Sequence, residues 1–243
     1  MKQAAPPGNG FRVRGEEVTR LEGFSDAAFG FALTLLVVSL EVPKTYADLI
    51  ATMRGVPAFA VCFAILVMIW NYHYLFSRRF GLEDGMTRLY TFFLLFIVLL
   101  YIYPLKFLFG IFINGTVLNL PGARLAMTTS DAATLFVIYG VGYTAVFGAL
   151  ALLYWHGYRK RDEVDLTEVE RVDTRWEIGG LLCQATIGVA STVIAFTVAP
   201  RYLGWAGFIY FSLALIMGVH GTLRSRSVER ARKEMARITA KAA

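Results

Sequence analysis

Asp26, His73, Lys106 and His220 are ionisable side chains set inside stretches that are otherwise apolar. A carboxylate at membrane depth costs a few kcal/mol unless it is paired or hydrated, so Asp26 marks a site by default. It closes the run Arg20-Leu21-Glu22-Gly23-Phe24-Ser25-Asp26, which leads directly into Ala27-Ala28-Phe29-Gly30-Phe31-Ala32-Leu33-Thr34-Leu35-Leu36. Further along, Trp70-Asn71-Tyr72-His73 puts Trp70 and His73 on one helical face, three residues apart. Asp26 and His73 are expected at the same membrane level, where they could pair and exchange a proton. Alternatively, His73 sits at the headgroup interface with Trp70 and Tyr74. Lys106 is expected to snorkel to the headgroups, and His220 to be a packed, satisfied histidine. No nucleophile-and-base spacing and no His-Glu-x-x-His or other metal signature occurs, so the chain is not read as an enzyme and no cofactor is implied.

The elements that must carry these residues follow from composition. The chain has 243 residues, 56% hydrophobic and 17% charged, against about a quarter charged in a soluble domain. The apolar residues come in six blocks: Phe24–Val42, Val56–Phe76, Leu89–Ile113, Ala132–Trp155, Ile178–Ala199 and Tyr202–Leu223. Each is near or above the ~20 residues that cross a bilayer as a helix. The fold class is therefore all-α, a six-transmembrane-helix protein. Residues 1–19 form a lead, 20–223 the membrane domain and 224–243 a basic surface helix.

The opening ten residues are polar and lack the apolar core of a signal peptide, so the first span is expected to serve as the insertion signal. With both termini inside, 19 of the 24 Lys and Arg residues fall on the cytoplasmic side. That asymmetry sets the orientation and explains the basic tail by lipid headgroup contact rather than nucleic-acid binding. Cys62 and Cys183 both lie within spans and imply no disulfide framework.

Periodicity picks out one face of the first span. With Phe31 at zero and 100° per residue, Thr34, Leu35 and Val38 fall at about 300°, 40° and 340°, one narrow stripe. Asp26 falls at about 220° and Ser25 at about 120°, off that stripe. This face reads either as ordinary bundle packing or as the lining of a pore, and periodicity does not choose between them.

Tyr139-Gly140-Val141-Gly142-Tyr143-Thr144 echoes the Thr-Val-Gly-Tyr-Gly filter of ordinary potassium channels. That filter is extended backbone, whereas these residues sit mid-span, where unwinding would strand unpaired backbone in the membrane. Close helix packing through Gly140 and Gly142 is the expectation.

Arg20-x-x-x-Phe24-Ser25-Asp26, continuing to Phe29 and Thr34-Leu35-Leu36, resembles the signature of the transmembrane protein 175 family of potassium channels. Trp70-x-x-His73 resembles a second family feature, and Tyr103-Pro104 a weaker third. A single signature resembles the prokaryotic members, which are homotetramers of six-helix subunits. The resemblance implies a potassium-preferring channel of the plasma membrane without a Thr-Val-Gly-Tyr-Gly filter. Its pore would be lined by the first helices, with Phe31 at the apolar neck and Thr34, Leu35 and Val38 beyond it. Phe31 departs from the usual Ile or Leu there. The resemblance also implies that Arg20, Phe24, Ser25, Asp26, Trp70 and His73 form a structural signature, read here as a polar clamp in which Asp26 meets His73. The partners implied are potassium ions and the lipid bilayer. The alternative is a proton-coupled secondary transporter using Asp26 and His73.

Overall fold

The computed structural model describes residues 11–38, 43–117 and 128–242. The helices are α1 (Arg20–Val38), α2 (Tyr46–Arg54), α3 (Val56–Phe80), α4 (Gly85–Phe109), α5 (Thr129–Arg159), α6 (Glu168–Thr197), α7 (Trp205–Phe208) and α8 (Ser212–Ala242). A π-helical stretch, Gly110–Val117, prolongs α4. No strand occurs among the described residues. Six helical stretches are long and apolar enough to cross a membrane, and they match the six sequence blocks.

Capping explains where the helices begin. Thr128 with Asp131 and Thr167 with Glu170 form capping boxes ahead of α5 and α6. Asp84 caps α4 by accepting from the Thr87 amide at 2.9 Å. Gly81 ends α3 at φ 59°, a left-handed conformation that glycine adopts without a Cβ penalty. The helix of the fifth span starts at Glu168, ahead of the apolar block, after the chain turns at Asp165 with φ 50°. Thr45 and Asp48 cap α2, a short helix within a connection that reads as a plain link. The tight link at Pro200-Arg201 opens into two 3-10 turns flanking α7 before α8 begins. The outer-loop turn expected at Pro121-Gly122 lies outside the described residues.

The core runs between α3, α4, α5 and α6 and is closed by one face of α1, with Leu36, Phe76, Leu94, Phe147, Leu150 and Leu181 fully buried. α5 and α6 approach closely. A methyl on Gly140 would stand 2.8 Å from the Gly188 carbonyl oxygen, and one on Gly188 2.9 Å from that of Gly140. Gly142 lies under the Tyr101 ring and donates its amide to the Tyr101 hydroxyl at 3.0 Å. Tyr139 to Thr144 are helical throughout.

Ion pairs stitch one end of the bundle. Arg224 of α8 meets Asp173 of α6 at 2.7 Å. Arg14 of the lead meets Glu170 at 2.7 Å, and the Arg14 and Gly15 amides donate to the Arg78 carbonyl at 2.9 and 3.3 Å. Phe11 is buried against Phe80, with the Arg79 guanidinium over its ring. Residues 11–16 are thus strapped onto the end of α3.

Candidate functional site

α1 has two unlike faces. Glu22, Ser25, Phe29, Ala32 and Leu36 recur at helical spacing and are buried against the bundle. On the opposite side Phe31 is 58% and Val38 74% exposed, and Thr34 is exposed with them. Leu35 is half-buried at the flank and packs on the core. Three of the four stripe residues therefore share an open face, and Leu35 borders it. The Thr34 hydroxyl donates to the Gly30 and Phe31 carbonyls at 2.8 and 2.9 Å, so its oxygen lone pairs remain available on that face.

The signature residues separate by role. Ser25 is fully buried and donates to the Leu21 carbonyl of its own helix at 2.8 Å. Phe24 sets its ring edge-on to Phe92 of α4 at 5.7 Å. Arg20 lines an open crevice with Glu17, Glu83 and Arg88. Asp26 accepts from the Trp70 indole nitrogen at 2.7 Å.

The pairing of Asp26 with His73 expected from depth is not what forms. His73 is 1% exposed, its Nε2 stands 3.3 Å from the Thr91 hydroxyl of α4, and its ring lies against Phe29. A three-residue step turns the helix by about 300°. Trp70 thereby faces the flank of α1, while His73 is swung inward between α1 and α4. His220 likewise departs from expectation. It packs against Trp176 at 5.1 Å and over Gly180, but its buried Nε2 has no hydrogen-bond partner.

Two residues of this layer escaped the motif reading. Glu22 is 3% exposed and faces Arg78 of α3 at 3.7 Å. Tyr74 lies between Trp70 and Arg78, stacked on the indole at 5.4 Å. The signal was present as spacing: 22 and 26 on one helix, and 70, 74 and 78 on the other, all step by four.

Beside the layer, Asp84 joins α4 to the end of α5. Its carboxylate takes His156 Nε2 at 2.8 Å and Lys160 Nζ at 3.2 Å. Desolvation pushes this carboxyl up, but the bonds from Thr87, His156 and Lys160 outweigh it and hold it well below the usual carboxylate range.

No cluster of metal-ligating side chains occurs among the described residues.

A family model described as the endosomal/lysosomal potassium channel TMEM175 matches residues 20–100, which span the whole clamp and the open face. A potassium channel of Marivirga tractuosa is 37% identical over 230 residues, covering 90% of this chain and 93% of that protein. The chain belongs to the TMEM175 family of potassium channels. A second relative, a potassium channel of Streptomyces collinus, is 27% identical and covers 77% of this chain and 89% of its own. The solved structure of a variant of the potassium channel MtTMEM175, in complex with a nanobody–MBP fusion, superposes with a TM-score of 0.80. It is 36% identical, and the match covers 92% of this chain and all of that one. TMEM175 membership sets aside the transporter alternative. The geometry agrees, since Asp26 is bonded to Trp70 and His73 is shut away from the open face.

Proposed function

We propose that this chain is one subunit of a homotetrameric, potassium-preferring cation channel of a bacterial plasma membrane, with its pore lined by α1. The observation that carries this reading is the open face of α1. Phe31 and Val38 are among the most exposed large side chains of that helix, on the side directly away from the core. A six-helix subunit that buries one face of its first helix and leaves the other bare, with a hydroxyl at Thr34 among its apolar side chains, has a face that copies of itself can cover. Four copies around an axis bring the α1 faces together. Phe31 then forms an apolar neck, Thr34 a ring of hydroxyls one turn further out, and Val38 with Leu35 the lining beyond. A neck of four phenylalanines excludes water when narrow, which makes dewetting a natural gate.

No Thr-Val-Gly-Tyr-Gly filter takes part in this reading. The one segment that echoes it is unbroken helix packed on Tyr101 and α6. Arg20, Phe24, Ser25, Asp26, Trp70 and His73 hold α1 in place and do not touch the ion. Both termini lie in the cytoplasm, with residues 20–223 as the channel domain, 1–19 as the lead and 224–243 as a basic helix.

Purified protein in liposomes under opposed potassium and sodium gradients tests the function. The expected reversal potential lies on the potassium side of zero. A potential that follows an imposed proton gradient and ignores the potassium gradient would return the transporter alternative.

A further inference from the structure

The clamp on α1 has a second contact. Arg78 Nε stands 3.7 Å from Glu22 Oε1, one helical turn before the bond between Asp26 and Trp70. The Arg78 guanidinium lies over the Tyr74 ring at 5.4 Å, and that ring stacks on Trp70 at 5.4 Å with an interplanar angle of 25°. Two acids of α1 are therefore met in register by an indole N–H and a guanidinium of α3, with an aromatic ring bridging the gap. One bond fixes a point on a helix. A hydrogen bond and an ion pair a turn apart, ~5.4 Å along the axis, together restrain its height and its rotation. Arg78 also donates through Nη1 to the Gly15 and Glu16 carbonyls at 2.6 and 3.2 Å, so the same guanidinium holds the lead. Glu22 is buried at 3% exposure, where a carboxylate without its partner is strongly disfavoured.

We propose that Glu22 and Arg78 are positioning residues for conduction. Through the ladder Trp70–Tyr74–Arg78 they set the rotation of α1, and with it which side chains face the ion path. They also tie that rotation to the lead. The proposal rests on α1 being the pore helix.

Single-channel recording of the full chain carrying Glu22→Gln, Arg78→Gln or both, beside Phe31→Ala, tests it. Each clamp variant is expected to change unitary conductance or the potassium-to-sodium ratio by about twofold or more, and the double variant to fall well short of the product of the two effects, since both remove one contact. Tyr74→Leu leaves both charges and should shift the same quantity in the same direction by less. A merely structural role would lower the yield of assembled channels and leave each survivor at the parent conductance and ratio. That result, or effects that multiply independently, overturns the proposal. Where Arg78→Gln does not assemble, Arg78→Lys replaces it under the same two outcomes, because a single ammonium keeps the charge but cannot meet Glu22 through one nitrogen and the lead through another. Phe31→Ala separates the proposal from the reading beneath it. If it shifts conduction and the clamp variants do not, the ladder fails alone. If neither shifts it, the pore assignment has failed with the ladder.

Discussion

The Trp70 indole nitrogen donates to the Asp26 carboxylate at 2.7 Å across the contact between α3 and α1. The bond satisfies a charge that the membrane would otherwise penalise, and it does so on the flank of α1 rather than on its open face. Asp26 is therefore expected to hold the helix and not to select the ion. Trp70→Phe removes the donor and leaves the exposed carboxylate without that bond, so the structure loses the tie between α1 and α3. Asp26→Asn keeps an acceptor for the indole and should cost less. Both are expected to lower the temperature at which the assembled protein dissociates on size exclusion after heating, with little change in the ion preference of surviving channels. A fully stable assembly with altered preference would place the carboxylate in the ion path.

Phe31 makes the sharpest prediction about conduction. Its ring is 58% exposed and belongs to neither hydrophobic core cluster, so truncation removes little of the core packing. Phe31→Ala is expected to raise cation flux and weaken potassium preference, read as flux and reversal potential in liposomes. Unchanged flux through an intact assembly would mean that something else lines the axis.

How much of this could be read beforehand depends on the length scale of the interaction. The spans were legible because a run of some twenty apolar residues has few alternatives in water, and each of the six blocks corresponds to a helical span. α2 was not, because nine residues make barely two and a half turns and only the pairing of Thr45 with Asp48 marks its start. The stripe on α1 was legible as periodicity, but not that it would be the open face rather than the packed one, since both give the same spacing. The partner of Asp26 was not, since choosing between Trp70 and His73 requires the rotation of α3 against α1, which depends on packing with α4 and α5. Glu22 looked like an ordinary acid of a helical first turn until burial showed it enclosed beside Arg78.

Asp84 gives a prediction in pH. Its carboxyl is held below the usual range in the folded protein, so ionised Asp84 stabilises the fold at every pH above the unfolded value of about 4. That stabilisation is lost as pH falls from there through the lower folded value. Asn caps a helix about as well as Asp, so Asp84→Asn removes mainly the charge facing His156 and Lys160. The variant is expected to melt lower than the parent by on the order of 1 kcal/mol at neutral pH. The gap should narrow as pH falls below about 4, where the Asp84 carboxylate of the unfolded chain takes up its proton. A gap that does not narrow below about pH 4 would show that the charge is not what Asp84 contributes.

The orientation is testable at the end of α8. Lys241 is exposed, Cys62 is buried, and Cys183 is half-buried, so Lys241→Cys with Cys183→Ser offers one accessible thiol. A membrane-impermeant maleimide should label it in inside-out vesicles and not in intact cells. Labelling of intact cells would reverse the topology.

Gly140 and Gly142 distinguish a packing motif from a filter. A methyl on Gly140 meets the Gly188 carbonyl oxygen at 2.8 Å and the Thr192 amide nitrogen at 3.1 Å, both backbone atoms of α6 that cannot turn aside. The atoms nearest a methyl on Gly142 belong to the Tyr101 side chain, which can swing away at the expense of its bond to the Gly142 amide. Gly140→Ala should therefore destabilise more than Gly142→Ala, by about 1–3 kcal/mol for the overpacked contact. Neither change touches the open face of α1. Channels that assemble with either variant are expected to keep the parent potassium-to-sodium ratio, read from reversal potentials. A carbonyl filter behaves in the opposite way, because alanine at a glycine that needs positive φ removes selectivity before it removes assembly. Loss of the ratio in well-assembled Gly142→Ala channels would thus make the filter echo real and take the pore away from α1.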